Sequence, residues 1–228
     1  GEPQITDNET MHRLAQRARS KWPQVPGPPE VYREQARAAM ARGDWSRAQQ
    51  RTSMALALSP DDLDDWVVLV CLSAQAGLGQ EVLSPEESTL VLLEATAIQP
   101  DHVGLPLALG WLSLRQGDAA AALRSAGEHP RGLGARLLRL KALGESATVS
   151  DGESVLEVAA AHGPVCRWTA DRALSVGLGS RAHRILQDCV KSGADAETRQ
   201  MLTEVVMQRE PMSAEITPET LDSTPSSP

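Results

Sequence analysis

Residues 42–61 read RGDWSRAQQRTSMALALSPD, and parts of this stretch return further along the chain. The segment 55–61 returns 40 residues later as 95–101, and Gly77 lies 34 residues after Gly43. A glycine between two helical stretches, alanines at fixed spacing and a closing proline recur together. A period of about 34 residues with this pattern is typical of stacked helix hairpins.

The residues of the first repeat explain why it should form a hairpin. Gly43 suits the left-handed conformation that follows many helix ends. Ala48 and Ala55 carry almost no side chain, so two antiparallel helices can approach closely there. Pro60 cannot continue a helix. We therefore predict one helix before Gly43 and a second that ends before Pro60.

The composition favours helices throughout. Hydrophobic residues make up 41% of the chain, yet it has no Phe, one Tyr and five Trp. Helix packing through small residues suits this mixture better than a β-sandwich does, so we predict an all-α fold. No apolar run is long enough to span a membrane. Arginine far outnumbers lysine, and Ala, Gly and Leu are abundant, which we interpret as bacterial origin from a GC-rich genome.

We divide the chain into three parts. Residues 1–29 contain a polar segment, a short basic helix and a Pro-rich linker; residues 30–209 form the repeat domain; and residues 210–228 form an acidic, Pro/Ser/Thr-rich tail that we predict to be disordered. Within the repeat domain, we assign clear repeats to 30–62, 63–102 and 103–130, a degraded segment to 131–163, a hairpin to 164–192 and a capping helix to 195–209.

The second repeat is longer than the first. Six extra residues separate Gly77 from Pro100, compared with the equivalent interval of the first repeat. Ser84 can cap a helix, the proline after it fits the first turn, and Glu87 completes a capping box. We therefore predict a long loop at 77–83.

These features resemble the tetratricopeptide-repeat family. The resemblance covers about 30–128, with a weaker echo at 164–190. The matching residues are Tyr32, Ala36, Gly43-Asp44-Trp45, Ala48, Ala55-Leu56 and Pro60; then Trp66, Gly77, Ala95 and Pro100; then Leu109-Gly110, Gly117-Asp118 and Ala122. The resemblance implies a right-handed superhelical stack of antiparallel helix hairpins whose first helices line a concave groove. It also implies binding of a protein or peptide, without any particular chemistry.

Helical spacing in each first helix separates residues that face this groove from residues that face the core. The predicted groove residues are Arg33, Arg37 and Met40; Asp64, Val67, Cys71 and Gln75; and Leu107, Trp111, Leu114 and Arg115. The second and third repeats thus present an apolar floor with Trp111 as anchor. An alternative stays open, in which the N-terminal helix or a helix from 131–161 covers this floor.

Charge is strongly segregated along the chain. The net charge of -8 argues against nucleic acid as the main partner. Residues 11–51 contain nine basic and three acidic side chains, whereas residues 59–102 contain nine acidic and no basic ones. Either the two adjacent repeats attract each other, or the oppositely charged repeats form a bipolar surface for docking or self-association.

No motif for catalysis, a metal or a cofactor is present. None of the five histidines lies in a zinc-binding pattern. The acidic run at 61–65 lacks the alternating ligands and glycine of a calcium loop, and acidic residues are also favoured at a helix start. We therefore predict no catalytic residue, no metal site and no cofactor.

The three cysteines are too sparse for a zinc site. If 164–192 is a hairpin, Cys166 and Cys189 lie side by side on antiparallel helices. They are then either two buried thiols, which pack as small apolar groups, or a disulfide, which requires an oxidising compartment. The sequence leaves both readings open.

We expect a non-enzymatic scaffold or adaptor that binds a protein or peptide in the groove. One alternative is an assembly factor of a bacterial envelope machine, such as a pilus, secretion or motility apparatus, in which Gly1 follows a removed signal or a lipid-bearing cysteine. Another is the regulatory repeat region of a larger enzyme. The location is then the cytoplasm or the periplasm, with or without a lipid anchor.

Overall fold

The computed structural model describes residues 9–75, 82–128 and 131–207, and within these ranges it contains helices and no strand. A single 3₁₀ turn occupies Gly144–Ser146. The α-helices are α1 (Glu9–Lys21), α2 (Pro29–Arg42), α3 (Trp45–Leu58), α4 (Leu63–Gln75), α5 (Pro85–Ile98), α6 (Leu105–Arg115), α7 (Ala119–Glu128), α8 (Leu133–Leu143), α9 (Val149–Leu156), α10 (Gly163–Ser175), α11 (Gly179–Lys191) and α12 (Ala196–Met207).

Helices α2 to α11 pair in order into helix hairpins, and each hairpin packs on the next. Among the first helices of the hairpins, α4 packs beside α6 and α6 packs beside α8. Helix α12 covers the end of the stack against α10 and α11. The predicted fold class, an all-α stack of antiparallel helix hairpins, is confirmed.

The first hairpin forms for the reasons that its sequence indicates. Gly43 adopts a φ of 78° after α2, which an L side chain rarely adopts. The Asp44 carboxylate accepts a hydrogen bond from the backbone N–H of Arg47 at 3.1 Å and so caps α3. Ala48 and Ala55 are 0% exposed between the helices. The predicted roles of the glycine and the alanines are confirmed.

The second hairpin contains the predicted capping box at the start of α5. The Ser84 hydroxyl accepts from the Glu87 N–H at 3.1 Å, and the Glu87 carboxylate accepts from the Ser84 N–H at 3.1 Å. The predicted loop at 77–83 lies outside the described residues except for its last two. The predicted tail at 210–228 lies wholly outside them.

Residues 131–163, which show no clear register in the sequence, contain α8, the 3₁₀ turn and α9. Thr148 and Asp151 form a second capping box at the start of α9. Buried Ala135, Leu137 and Leu138 pack α8 onto the rest of the stack. This segment thus contributes a hairpin that lies between the third repeat and α10.

Ion pairs join the basic first repeat to the acidic second one. Arg33 lies 2.6 Å from Asp62 and 2.8 Å from Asp65. Burial raises the pKa of Asp65 to about 6, although Arg33 acts in the opposite direction. Attraction between adjacent repeats, one of the two interpretations of the segregated charge, therefore operates within one chain.

Candidate functional site

A cleft of about 580 Å³ lies on the inner side of the stack. Its walls come from the start of α3 and from the first helices of the later hairpins, α4, α6, α8 and α10. The main contributors are Trp45, Gln75, Trp111, Leu137, Leu140 and Trp168. This volume falls within the range of about 300–1,000 Å³ that is typical of ligand sites. The curvature of the stack therefore creates a concave site from helices that are distant in sequence.

Three of the five tryptophans border the cleft, and they differ in burial. Trp111 is 2% exposed and belongs to a core cluster with Leu137, Leu138 and Val165. Trp45 and Trp168 are half-buried and pack against the same cluster. Trp111 is thus a support beneath the cleft, whereas Trp45 and Trp168 retain surface that a bound molecule can contact.

The cleft closes on one side where the first hairpin meets α10. The rings of Trp45 and His162 lie 5.4 Å apart between centroids. A Cβ atom placed on Gly43 would lie 2.8 Å from His162 Cε1 and 2.9 Å from Pro164 Cδ, too close for an alanine. Gly43 therefore serves both the turn after α2 and this contact between the first and last hairpins.

His162 is held in place by its neighbours and is 1% exposed. Its Nδ1 accepts a hydrogen bond from the Val165 N–H at 3.3 Å and caps α10. Its Nε2 is buried without a hydrogen-bond partner in the part of the chain that the structure describes. Burial lowers the pKa of His162 from 6.5 to about 4, with a smaller effect from Lys141, so the ring is neutral near pH 7.

We expect His162 to make the fold sensitive to acid. Its pKa is lower in the folded chain, so between about pH 6.5 and 4 the unfolded chain binds a proton that the folded chain does not. Stability should therefore fall as the pH falls, by about 2 kcal/mol between pH 7.5 and 5.0. Urea unfolding of wild type and His162→Asn at both pH values measures this, because Asn keeps the cap acceptor and does not titrate.

The titration of Asp65 changes stability with pH in the opposite direction. It is present in both wild type and His162→Asn, so it cancels when their pH dependences are compared. Equal pH dependence of wild type and His162→Asn would show that His162 is not responsible.

The rim of the cleft carries both signs of charge. Lys141 and Glu145 are exposed on one side, and Asp171 and Arg172 lie on α10. The Arg172 guanidinium donates to the Glu145 backbone carbonyl at 2.9 Å, which ties α10 to the 3₁₀ turn after α8. An apolar floor with a mixed polar rim is the usual composition of a protein interface.

A disulfide supports the α10 wall. Cys166 of α10 and Cys189 of α11 are bonded, with their Cα atoms 6.3 Å apart, and both are at least 98% buried. Of the two readings that the sequence leaves open, the structure has the disulfide. Cys71 is a free cysteine, and burial raises the pKa of its thiol to about 12.

The predicted groove residues fall into two groups in the structure. Gln75 and Trp111 line the cleft, and Cys71, Leu107 and Leu114 pack against the core cluster beneath it. Helix α8 covers Trp111. This arrangement matches the alternative that the sequence leaves open, in which a helix from 131–161 covers the floor of the groove.

The remaining groove residues lie elsewhere. Val67 is 4% exposed in another core cluster, with Leu105, and Arg33 is held in its ion pairs with the second repeat. Arg37 is exposed and does not border the cleft, and the Arg115 guanidinium donates to the Ser73 carbonyl at 3.2 Å. Met40 is half-buried against the core of the first hairpin, and Asp64 lies beside His102.

The sequence prediction missed Trp45, His162 and Trp168. Trp168 could have been found, because it lies in the first helix of the predicted hairpin 164–192, where groove residues are expected. Trp45 and His162 could not, because they meet through the curvature of the whole stack.

Two classes of site are not found among the described residues. No group of three or more His, Cys, Asp or Glu side chains there could hold a metal ion. No helix there is long and apolar enough to cross a membrane.

No protein-family model matches the chain, and a search of curated proteins yields no match. Among solved structures, the chain is similar to yeast Tom70, with 13% sequence identity and a TM-score of 0.48. The alignment covers 93% of this chain and 46% of the Tom70 chain, so this chain spans about half the length of that protein. A superposition this loose says nothing about what the chain binds.

Proposed function

We propose that this chain is a non-enzymatic adaptor or scaffold of the tetratricopeptide-repeat type, which binds a segment of a partner protein in the cleft. The observation that carries the proposal is the cleft itself. It is a concave site lined by Trp45 and Trp168, and Trp111 supports its floor. Tryptophan is among the residues that contribute most binding energy at protein interfaces. The mixed charges of the rim provide orientation for a peptide.

A second, narrower function is favoured by the disulfide. Disulfides persist in oxidising compartments and are rare in the cytosol. The Cys166–Cys189 bond therefore supports an oxidising compartment, which for a protein of bacterial origin is the periplasm rather than the cytoplasm. In that setting we propose an assembly factor of an envelope machine, whose partner is a component of that machine.

Trp168→Ala tests the cleft as the binding site. Peptides selected from a displayed random library on the wild-type protein should bind the variant at least about tenfold more weakly, because a half-buried tryptophan supplies much of the contact area. Titration calorimetry with each selected peptide measures the change. Circular dichroism should show that the helices remain.

The matched control is Leu90→Ala. Leu90 lies on α5 away from the cleft and is 44% exposed, so this variant also removes an exposed apolar side chain. Its peptide affinity should equal that of wild type. Peptides that bind Trp168→Ala as tightly as wild type, or that are lost with Leu90→Ala, would place the binding surface outside the cleft.

A further inference from the structure

Helix α1 is a basic amphipathic helix, as are many helices that bind in a groove of a partner protein. Its one acidic residue, Glu9, stands in the first turn, and its apolar side forms a narrow stripe. The buried residues of that stripe are Met11, Leu14 and Ala15, and the basic residues of the helix are Arg13, Arg17, Arg19 and Lys21. This stripe packs on α3 and α5, the second helices of the first two hairpins.

The α5 side of the surface beneath α1 is acidic and contacts α1 at two points, its first turn and Arg17. The Glu94 carboxylate accepts hydrogen bonds from the backbone N–H groups of Thr10 and Met11, at 2.8 and 2.9 Å. A carboxylate at a helix N-terminus is favoured by the helix dipole. Further along, the Arg17 guanidinium lies 2.9 Å from the Glu87 carboxylate. The acidic hairpin thus supplies the N-terminal cap and an ion pair to a basic helix.

The fit of α1 to this surface is incomplete at its C-terminal end. A cavity of about 300 Å³ lies beside Ala18 and Trp22 and is bordered by Leu56, Trp66 and Leu83. The Trp22 Nε1 atom is buried without a hydrogen-bond partner among the described residues. Since protein interiors are normally close-packed, a helix with a larger apolar side chain in place of Ala18 would fit better.

The connection from α1 to α2 allows the helix to leave. Residues 22–28 contain three prolines, which cannot donate backbone hydrogen bonds, and one glycine with a φ of 88°. The first hairpin has its own contacts between α2 and α3, to which α1 does not contribute. Release of α1 therefore uncovers the apolar surface that Met11, Leu14 and Ala15 share with the core of the first hairpins, while the contacts between α2 and α3 remain.

We propose that the surface of α3 and α5 beneath α1 is a helix-binding site that α1 occupies in cis. Its ligand in trans is a basic amphipathic helix of a partner protein, with a large apolar side chain where α1 has Ala18. Charge complementarity on the α5 side sets this class of ligand, because Glu87 and Glu94 contact α1 there and residues 59–102 contain no basic side chain. Helix α1 then acts as a built-in competitor, and the site is separate from the cleft.

The test uses the full chain and a labelled synthetic peptide of residues 9–22 that carries Ala18→Leu. In the full chain, Leu14→Asp places a carboxylate in the apolar stripe and releases α1. Fluorescence anisotropy should show the peptide binding to Leu14→Asp at least about tenfold more tightly than to wild type, in which α1 competes at high effective concentration. Arg17→Glu in the full chain should act in the same direction, and its exposed side chain keeps the test independent of core packing.

Two controls make the result specific. Glu87→Gln in the Leu14→Asp background keeps the capping box, since glutamine serves it as well, and should weaken peptide binding severalfold. A peptide of the same composition in scrambled order should not bind. Equal binding of the scrambled peptide, or no binding of the helix peptide to the folded variants, would overturn the proposal.

The oligomeric state separates a partner from a second copy. We expect wild type and Leu14→Asp to sediment with the mass of one chain. A wild-type mass of two chains that Leu14→Asp abolishes would assign the site to α1 of a second copy and contradict a partner helix.

Discussion

Replacing Trp111 with alanine should lower the free energy of unfolding by about 3–5 kcal/mol. The side chain projects from α6, is 2% exposed and packs against α8, so its loss leaves a cavity beneath the cleft. Equilibrium unfolding in urea, followed by far-UV circular dichroism, measures the change. The sequence alone instead predicts that Trp111 is an anchor in the groove. If that is its role, the substitution should leave the fold largely intact and weaken partner binding.

Trp168→Ala is the matched comparison for this substitution. Trp168 belongs to the same surroundings but is half-buried, so its loss should lower the free energy of unfolding by less than half as much. An unfolding free energy for Trp111→Ala within about 1 kcal/mol of wild type would show that Trp111 does not support the core.

Loss of the Cys166–Cys189 disulfide should lower the free energy of unfolding by about 3 kcal/mol. The bond closes a loop between residues 23 apart in sequence, which restricts the unfolded chain. The double variant Cys166→Ala/Cys189→Ala measures this in urea, with and without a reductant. Wild type under full reduction should approach the variant, and the variant itself should not respond to the reductant.

Cys71→Ala controls for the removal of a cysteine side chain as such. Cys71 is a free cysteine and half-buried, so its loss should change stability far less and should leave the response to reductant intact. If the double variant were as stable as oxidised wild type, the bond would not stabilise the fold.

Local chemistry explains what could be predicted from the sequence. A glycine at position 43, an alanine at position 48 and a serine at position 84 each act through neighbours a few residues away, so the pattern around them indicates helix ends and close contacts directly. The fold class followed from the repetition of such signals. The segment 131–163 contains a local signal at Thr148 and Asp151 but not the spacing of the repeat, so the sequence leaves the packing of α8 on Trp111 as one of two alternatives.

The cleft could not be predicted in the same way, because it depends on how distant hairpins are placed relative to one another. Whether Trp45 meets His162 depends on small rotations between successive hairpins that add up along the stack, and no short stretch of sequence encodes their sum. Arg33 shows the same limit, because helical spacing places it on a predicted groove face whereas Asp62 and Asp65 hold it against the neighbouring repeat.

The contact between Gly43 and His162 changes how this chain should gain and lose its structure. In an open repeat array each unit touches only its neighbours, so the ends can fray while the middle persists. Here the first hairpin also rests on the start of α10, so neither hairpin can detach without breaking a contact that joins distant parts of the sequence. We therefore expect this contact to couple the unfolding of the first hairpin to that of α10, and it forms only when two distant segments meet, which is entropically costly.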